Sequence, residues 1–205
     1  MTVSTDTQSI HKLTIGVMLQ GLRNMARIMD KAKAEAPAKG LKTEALLDSR
    51  LFPDMFNLLQ QIQYVCYLSA DFARHFTSEP PPRVGYDEAS WEELRNSLEV
   101  AAAYLGSISP ATVASRASAL VPTFMDDSKG MKAIDYAASV IVPDFHFHMV
   151  VAYGLLRNNG IGLGKSDFLG PLPSVEMPPG KSGHCTRSSR RWSALLGLQP
   201  GEELV

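Results

Sequence analysis

Pro143-Asp144-Phe145-His146-Phe147-His148-Met149-Val150-Val151-Ala152-Tyr153-Gly154-Leu155-Leu156-Arg157-Asn158 is the stretch that decides the fold class. At roughly 100° per residue, Phe145, Phe147, Met149, Val151, Ala152, Leu155 and Leu156 gather into one apolar arc, the pattern of a helix that buries a single face. Pro143 suits the first turn of that helix, where its missing N–H costs nothing. Asn158-Asn159-Gly160 suits its end, because Asn and Gly tolerate the left-handed conformation.

The same helical period extends outward, and no segment alternates as a half-buried strand would. A first helix is predicted over 9–36, with Ile15, Met18, Leu22, Met25 and Met29 as its stripe and Pro37 and Gly40 ending it. A short helix over 43–49 takes Thr43 as its cap. Pro53 suits the first turn of a second long helix reaching Phe76, with Met55, Leu58, Ile62, Val65, Cys66, Ser69 and Phe72 inward. Pro80-Pro81-Pro82 makes 77–87 an extended linker. A third helix follows over 88–105, then an irregular stretch to Gly130 and a short helix over 132–141. The chain reads as all-α, with a helical domain over 1–170. Residues 171–205 are rich in Pro, Gly, Ser and Arg and read as a mostly disordered tail. Trp192 to Leu198 is the tail's one candidate docking helix.

The 205 residues suit one domain with a sizeable core. A formal charge of −1 with no long basic run argues against a nucleic-acid or membrane-surface role. Apolar runs such as Ala101 to Leu105 are too short to span a bilayer, and Met1 to Ser9 is too polar for a secretory signal. Cys66 and Cys185 form no metal-type spacing. A reduced, cytoplasmic protein is expected.

The inward polar residues carry the functional reading. His148 falls at the centre of the 143–158 arc and Asp144 lies one turn before it. His146 falls on the opposite face with Tyr153 and Arg157, so the two histidines diverge. His11 heads the stripe of the first helix. On the second helix Ser69 lies on the stripe, Gln61 and Gln63 flank it, and Tyr64 and Tyr67 lie further round. Buried polar groups of this kind either satisfy one another or line a wet pocket. Gly160-x-Gly162-x-Gly164 neither follows a strand nor opens a helix, so it is no phosphate loop. Lys165 and Asp167 read as a clasp tying the exit loop to the fourth helix.

Two segments carry a resemblance. One is Arg50-Leu51-Phe52-Pro53-Asp54-Met55-Phe56 with Gln61-Ile62-Gln63. The other is Pro143 to His148 followed by Asn158-Asn159-Gly160 and Gly164-Lys165-Ser166-Asp167-Phe168-Leu169-Gly170. Together they resemble a domain-of-unknown-function family within the DinB/YfiT-like superfamily of metalloenzymes, over about residues 8–170. The resemblance implies a four-helix bundle with helices 1 and 4 parallel and a long crossover between helices 2 and 3. It also implies a His on helix 2 and a His-x-x-x-His pair on helix 4 in metal-binding members. Here Asp144-x-x-x-His148 matches the pair, and helix 2 offers no third ligand unless His11 substitutes. The chain departs from the family's usual Asn-Phe-Tyr-Phe-His at 144–148 and from its usual Tyr at His11.

The leading expectation is a small-molecule enzyme without a redox cofactor, a lyase or isomerase of a biosynthetic pathway: an isomerase, cyclase, dehydratase or decarboxylase. His148 would be general acid or base, and Asp144 would set its tautomer and raise its pKa. His11 would be the complementary group, and Tyr67, Gln63, Gln61 and Ser69 would hold substrate. Two alternatives stay open. One is a metal-dependent DinB-like transferase or hydrolase with zinc or nickel on Asp144, His148 and His11. The other is a non-catalytic binding or interaction protein. The expected ligand is small and apolar to amphipathic, with neither nucleic acid nor membrane as partner. A homodimer is the one assembly left open.

Overall fold

The computed structural model describes residues 5–77, 79–123, 126–173 and 176. Helix α1 (5–35) starts as Thr5–His11, widens into a π turn at Lys12–Gly16 and continues as Val17–Glu35. After the short α2 (Thr43–Leu47) come α3 (Leu58–Ala73), α4 (Trp91–Ser107) and α5 (Pro110–Arg116). Strands β1 (Leu120–Thr123) and β2 (Asp126–Lys132) precede α6 (Ala133–Asn158) and α7 (Lys165–Leu169).

The four long helices make the bundle, packed in the order α1, α4, α3, α6 around its axis. Ile15, Met18, Leu22, Met25 and Met29 of α1 are fully buried, as are Leu58, Ile62, Val65 and Cys66 of α3. The π turn of α1 meets the start of α6. At their far ends the Gly162 N–H donates to Glu35 Oε2 at 2.8 Å. Helices 1 and 6 therefore run parallel, while α4 runs against α1, with His11 at the end of α4 and Lys33 paired to Glu92 at its start. Consecutive helices α3 and α4 are thus parallel too, and the linker between them must travel the length of the bundle. Gly85 marks its path, packed on the backbone of Gln63 and Tyr67.

Several boundaries differ from the sequence expectation for physical reasons. Pro53 sits in a turn, and α3 begins only after Asn57. There Asn57 Oδ1 accepts from Gln60 N at 2.9 Å and Gln60 Oε1 accepts from Asn57 N at 3.1 Å. This reciprocal capping satisfies two orphan donors at once, which a proline cannot do. Ser90 and Glu93 cap α4 in the same way, so it starts after Ser90 and not at Glu88. Thr43 is the first residue of α2, with Lys42 as its cap.

Pro143 does not open a helix. Ala133–Tyr136, a π turn at Ala137–Ile141 and Val142–Asn158 form one continuous rod through it. A proline deletes one backbone bond and crowds the preceding turn, and the wider π turn makes room for its ring. The joined helix is long and apolar enough to cross a bilayer by length and composition alone, unlike the short runs read from the sequence. In this fold Ile141, Phe145, Met149, Ala152, Leu155 and Leu156 are buried in the bundle.

The stretch read as irregular also holds α5 and a short antiparallel hairpin, with Leu120 opposite Lys132 and Val121 opposite Met131. The exit clasp is real but differently made. Asp167 takes the Gly164 N–H at 2.7 Å and an ion pair from Lys31 of α1 at 3.0 Å, while Lys165 and Arg157 are exposed. Of the tail, Pro171, Leu172, Pro173 and Glu176 are exposed. The expectation of disorder beyond them, and of a docking segment at Trp192, lies outside the described residues.

Candidate functional site

Asp144 and His148 come together as their spacing requires, with His148 Nε2 3.4 Å from Asp144 Oδ1. Helix α3 completes the group. Gln61 Oε1 lies 2.6 Å from His148 Nδ1, and the Tyr64 hydroxyl donates to Asp144 Oδ2 at 2.9 Å. Gln61 and Tyr64 are three residues apart and share one helix face. Because α3 and α6 are antiparallel, the earlier residue of α3 meets the later one of α6. The Tyr64 ring lies tilted against the imidazole with centroids 4.3 Å apart, and Phe56 and Phe147 flank it. His148 retains 11% side-chain exposure and Asp144 26%, so the carboxylate is the open side.

The partners assign the His148 tautomer. Gln61 is buried, and its amide nitrogen donates to the Phe56 carbonyl at 3.1 Å. A carbonyl only accepts, so the amide oxygen must face the imidazole and Nδ1 must carry the hydrogen. Nε2 is left as the titrating nitrogen, separated from the carboxylate by more than an ordinary hydrogen bond. Burial lowers the His148 pKa, outweighing the Asp144 carboxylate that pulls it up. The raised value expected from the sequence is thereby reversed, because desolvating an imidazolium costs more than this single carboxylate returns. Burial and the bond to Asp144 push the Tyr64 phenol up, so it stays a donor.

This shift has a stability consequence. A His with a depressed folded pKa contributes stability that is complete above its unfolded value of 6.5 and lost as pH falls through the folded value. Burial depresses His75 as well. The melting temperature is expected to fall between about pH 7 and 5.5, above the carboxylate range. His148→Gln and His75→Gln should each flatten the decline. A decline unchanged in both variants would contradict the assignment.

The other residues singled out from sequence scatter. His11 Nε2 donates to the Ile108 carbonyl at 3.0 Å and does not join Asp144 and His148. Gly21, not His11, stands level with Phe145. Ten residues separate the two, about 15 Å of helix rise. Gln63 donates to the Glu88 carbonyl at 2.9 Å, and buried Ser69 donates to the Cys66 carbonyl at 3.0 Å, so both are engaged by the backbone. Phe147, placed on the inward arc, is 54% exposed. Tyr67 does line a cleft of about 170 Å³, together with Tyr64, Asp71, Arg74, His75 and Tyr136. Tyr64 is thus a wall shared by that cleft and the Asp144–His148 pair. Sequence reasoning had set it aside; the available signal was its three-residue spacing from Gln61.

A resident zinc or nickel ion, as the superfamily resemblance implies, does not fit these side chains. Among the described residues no three His, Cys, Asp or Glu side chains converge. Gln61, the α3 residue that reaches the pair, meets Nδ1, across the ring from the Nε2 and Oδ1 that would hold a metal. The Tyr64 phenol stays protonated and is a poor ligand.

Comparison with known proteins agrees with the architecture. The model of the family described as Domain of unknown function (DUF1993) matches residues 10–169. A crystal structure of a DinB family member protein from Shewanella denitrificans superposes with a TM-score of 0.77 at 31% identity, covering 83% of this chain and 97% of that one. No curated protein matches. With the match spanning all four long helices and both sides of the Asp144–His148 pair, the chain belongs to the DUF1993 family and has the DinB-like four-helix-bundle fold.

Proposed function

We propose that the protein is a small-molecule enzyme of the lyase or isomerase type that moves a proton with His148 and needs no redox cofactor. The observation that carries this reading is the Gln61-fixed tautomer, which leaves the Nε2 of a largely buried imidazole beside a carboxylate. Nε2 takes a proton from a substrate C–H or O–H group, and Asp144 stabilises the imidazolium that forms. Return of that proton to another atom of the substrate completes an isomerisation; its loss with a leaving group completes an elimination. Burial holds the His148 pKa below its ordinary value, so the imidazole is ready to accept a proton at physiological pH. The cleft that shares Tyr64 with the pair, but is lined by neither Asp144 nor His148, suits the body of a small amphipathic substrate.

Long-range ¹H–¹⁵N NMR above pH 6.5 tests the proposal. His148 is expected with hydrogen on Nδ1 and a bare Nε2 whose resonance is unmoved by one equivalent of zinc or nickel. A hydrogen on Nε2, or a stoichiometric metal shift at Nε2, would overturn the proton-transfer reading, and the second result would favour a metal-dependent transferase or hydrolase.

A further inference from the structure

A second cleft, of about 190 Å³, lies on another side of α6, where α7 closes the groove between α1 and α6. Its walls include Val17, Phe145, Met149, Phe168 and Leu169. The helices meet closely at its base: a Cβ on Gly21 would stand 2.5 Å from Phe145 Cε1. The side-chain amides of Gln20 and Asn24 border the cleft, but both are engaged, donating to the Leu169 and Phe168 carbonyls at 2.8 and 2.7 Å. These bonds hold α7 over the groove. His146 differs. Its Nδ1 lies 2.8 Å from the Val142 carbonyl, which only accepts, so Nδ1 carries the hydrogen. Nε2 is then an acceptor without a partner among the described residues, in a largely apolar wall.

We propose that this cleft is a second binding site, independent of the His148 chemistry, for a single flat aromatic ring bearing one hydrogen-bond donor, of the phenol class. The ring lies against Val17, Phe168 and Leu169, over the buried Phe145 and Met149, and its hydroxyl donates to His146 Nε2. The size suits this ligand, since apolar cavities of about 150 Å³ accept a benzene ring. A free acceptor selects a donor, and leaving it unmatched in an apolar surround costs affinity.

The test compares phenol with anisole, which has the same ring and no O–H. Both are titrated into the full chain while the His146 ¹⁵N and Met149 methyl resonances are followed. Phenol is expected to move both saturably and to bind about tenfold more tightly than anisole, the effect of one hydrogen bond to a partly buried acceptor. His146→Phe keeps a ring and removes the acceptor, so phenol should fall to the anisole level. Equal binding of the two ligands overturns the proposal, as does a phenol response centred on Tyr64 and Tyr67, or phenol affinity unchanged in His146→Phe. The wild-type comparison decides the question even if the variant folds poorly.

Discussion

Alanine at His148 is expected to lower turnover by about 10²–10⁴-fold, the usual share of a general acid or base. Turnover here means consumption of a compound from a metabolite mixture, followed by mass spectrometry. Asp144→Asn should cause a comparable loss, because the amide keeps the shape but no longer offers a charge to the imidazolium. His146→Ala should retain activity, since its ring faces the α1–α7 groove. His11→Ala should also retain it, because His11 is held by the Ile108 carbonyl on another part of the bundle. Helical content and melting temperature must be measured alongside, as removing a half-buried polar group can unfold a domain. Loss in His146→Ala with full turnover in His148→Ala would place the chemistry in the second groove. Full turnover in both His148→Ala and Asp144→Asn would make their cluster structural only.

The largest stability loss is expected at Gly85, through the crossover linker. Its φ is +79°, where a side chain is strained, and a Cβ would collide with the Gln63 carbonyl oxygen and stand 2.8 Å from Tyr67 Cβ. The Gly85 N–H also donates to Glu88 Oε1 at 2.8 Å, so the linker cannot shift without losing that bond. Gly85→Ala should cost roughly 2–5 kcal/mol, the left-handed strain plus overpacking, or on the order of 10 °C in melting temperature. Gly40→Ala is the matched control. Its φ is +70°, yet nothing lies within 4 Å of the added carbon, so only the strain of about 1–2 kcal/mol applies. Thermal unfolding of both variants isolates the cost of the close approach. Equal losses would mean that the linker is free to move off α3.

The sequence by itself determined the four long helices, most of their inward residues and the pairing of Asp144 with His148. These are local properties: a period of about 3.6 residues places i and i+4 on one face whatever the helix later packs against. The buried stripes of α1 and α3 follow from the same rule, and the polyproline linker fits the crossover that the family resemblance implied. Tertiary structure alone decided the rest. The level of His11 depends on how far α1 extends past its contact with α6, and no residue pattern states that. Gln61 and Tyr64 were visible as polar residues at the edge of a stripe, but the antiparallel register of α3 against α6 decided that one holds the imidazole and the other the carboxylate. Pro143 looked like a helix start because a proline is locally cheapest there; packing of the 133–141 segment carried the helix through it on a π turn. The sign of the His148 pKa shift was likewise beyond the sequence. The carboxylate one turn away could be read from the spacing, whereas desolvation by Phe56, Tyr64 and Phe147 is a sum over neighbours that only folding brings together.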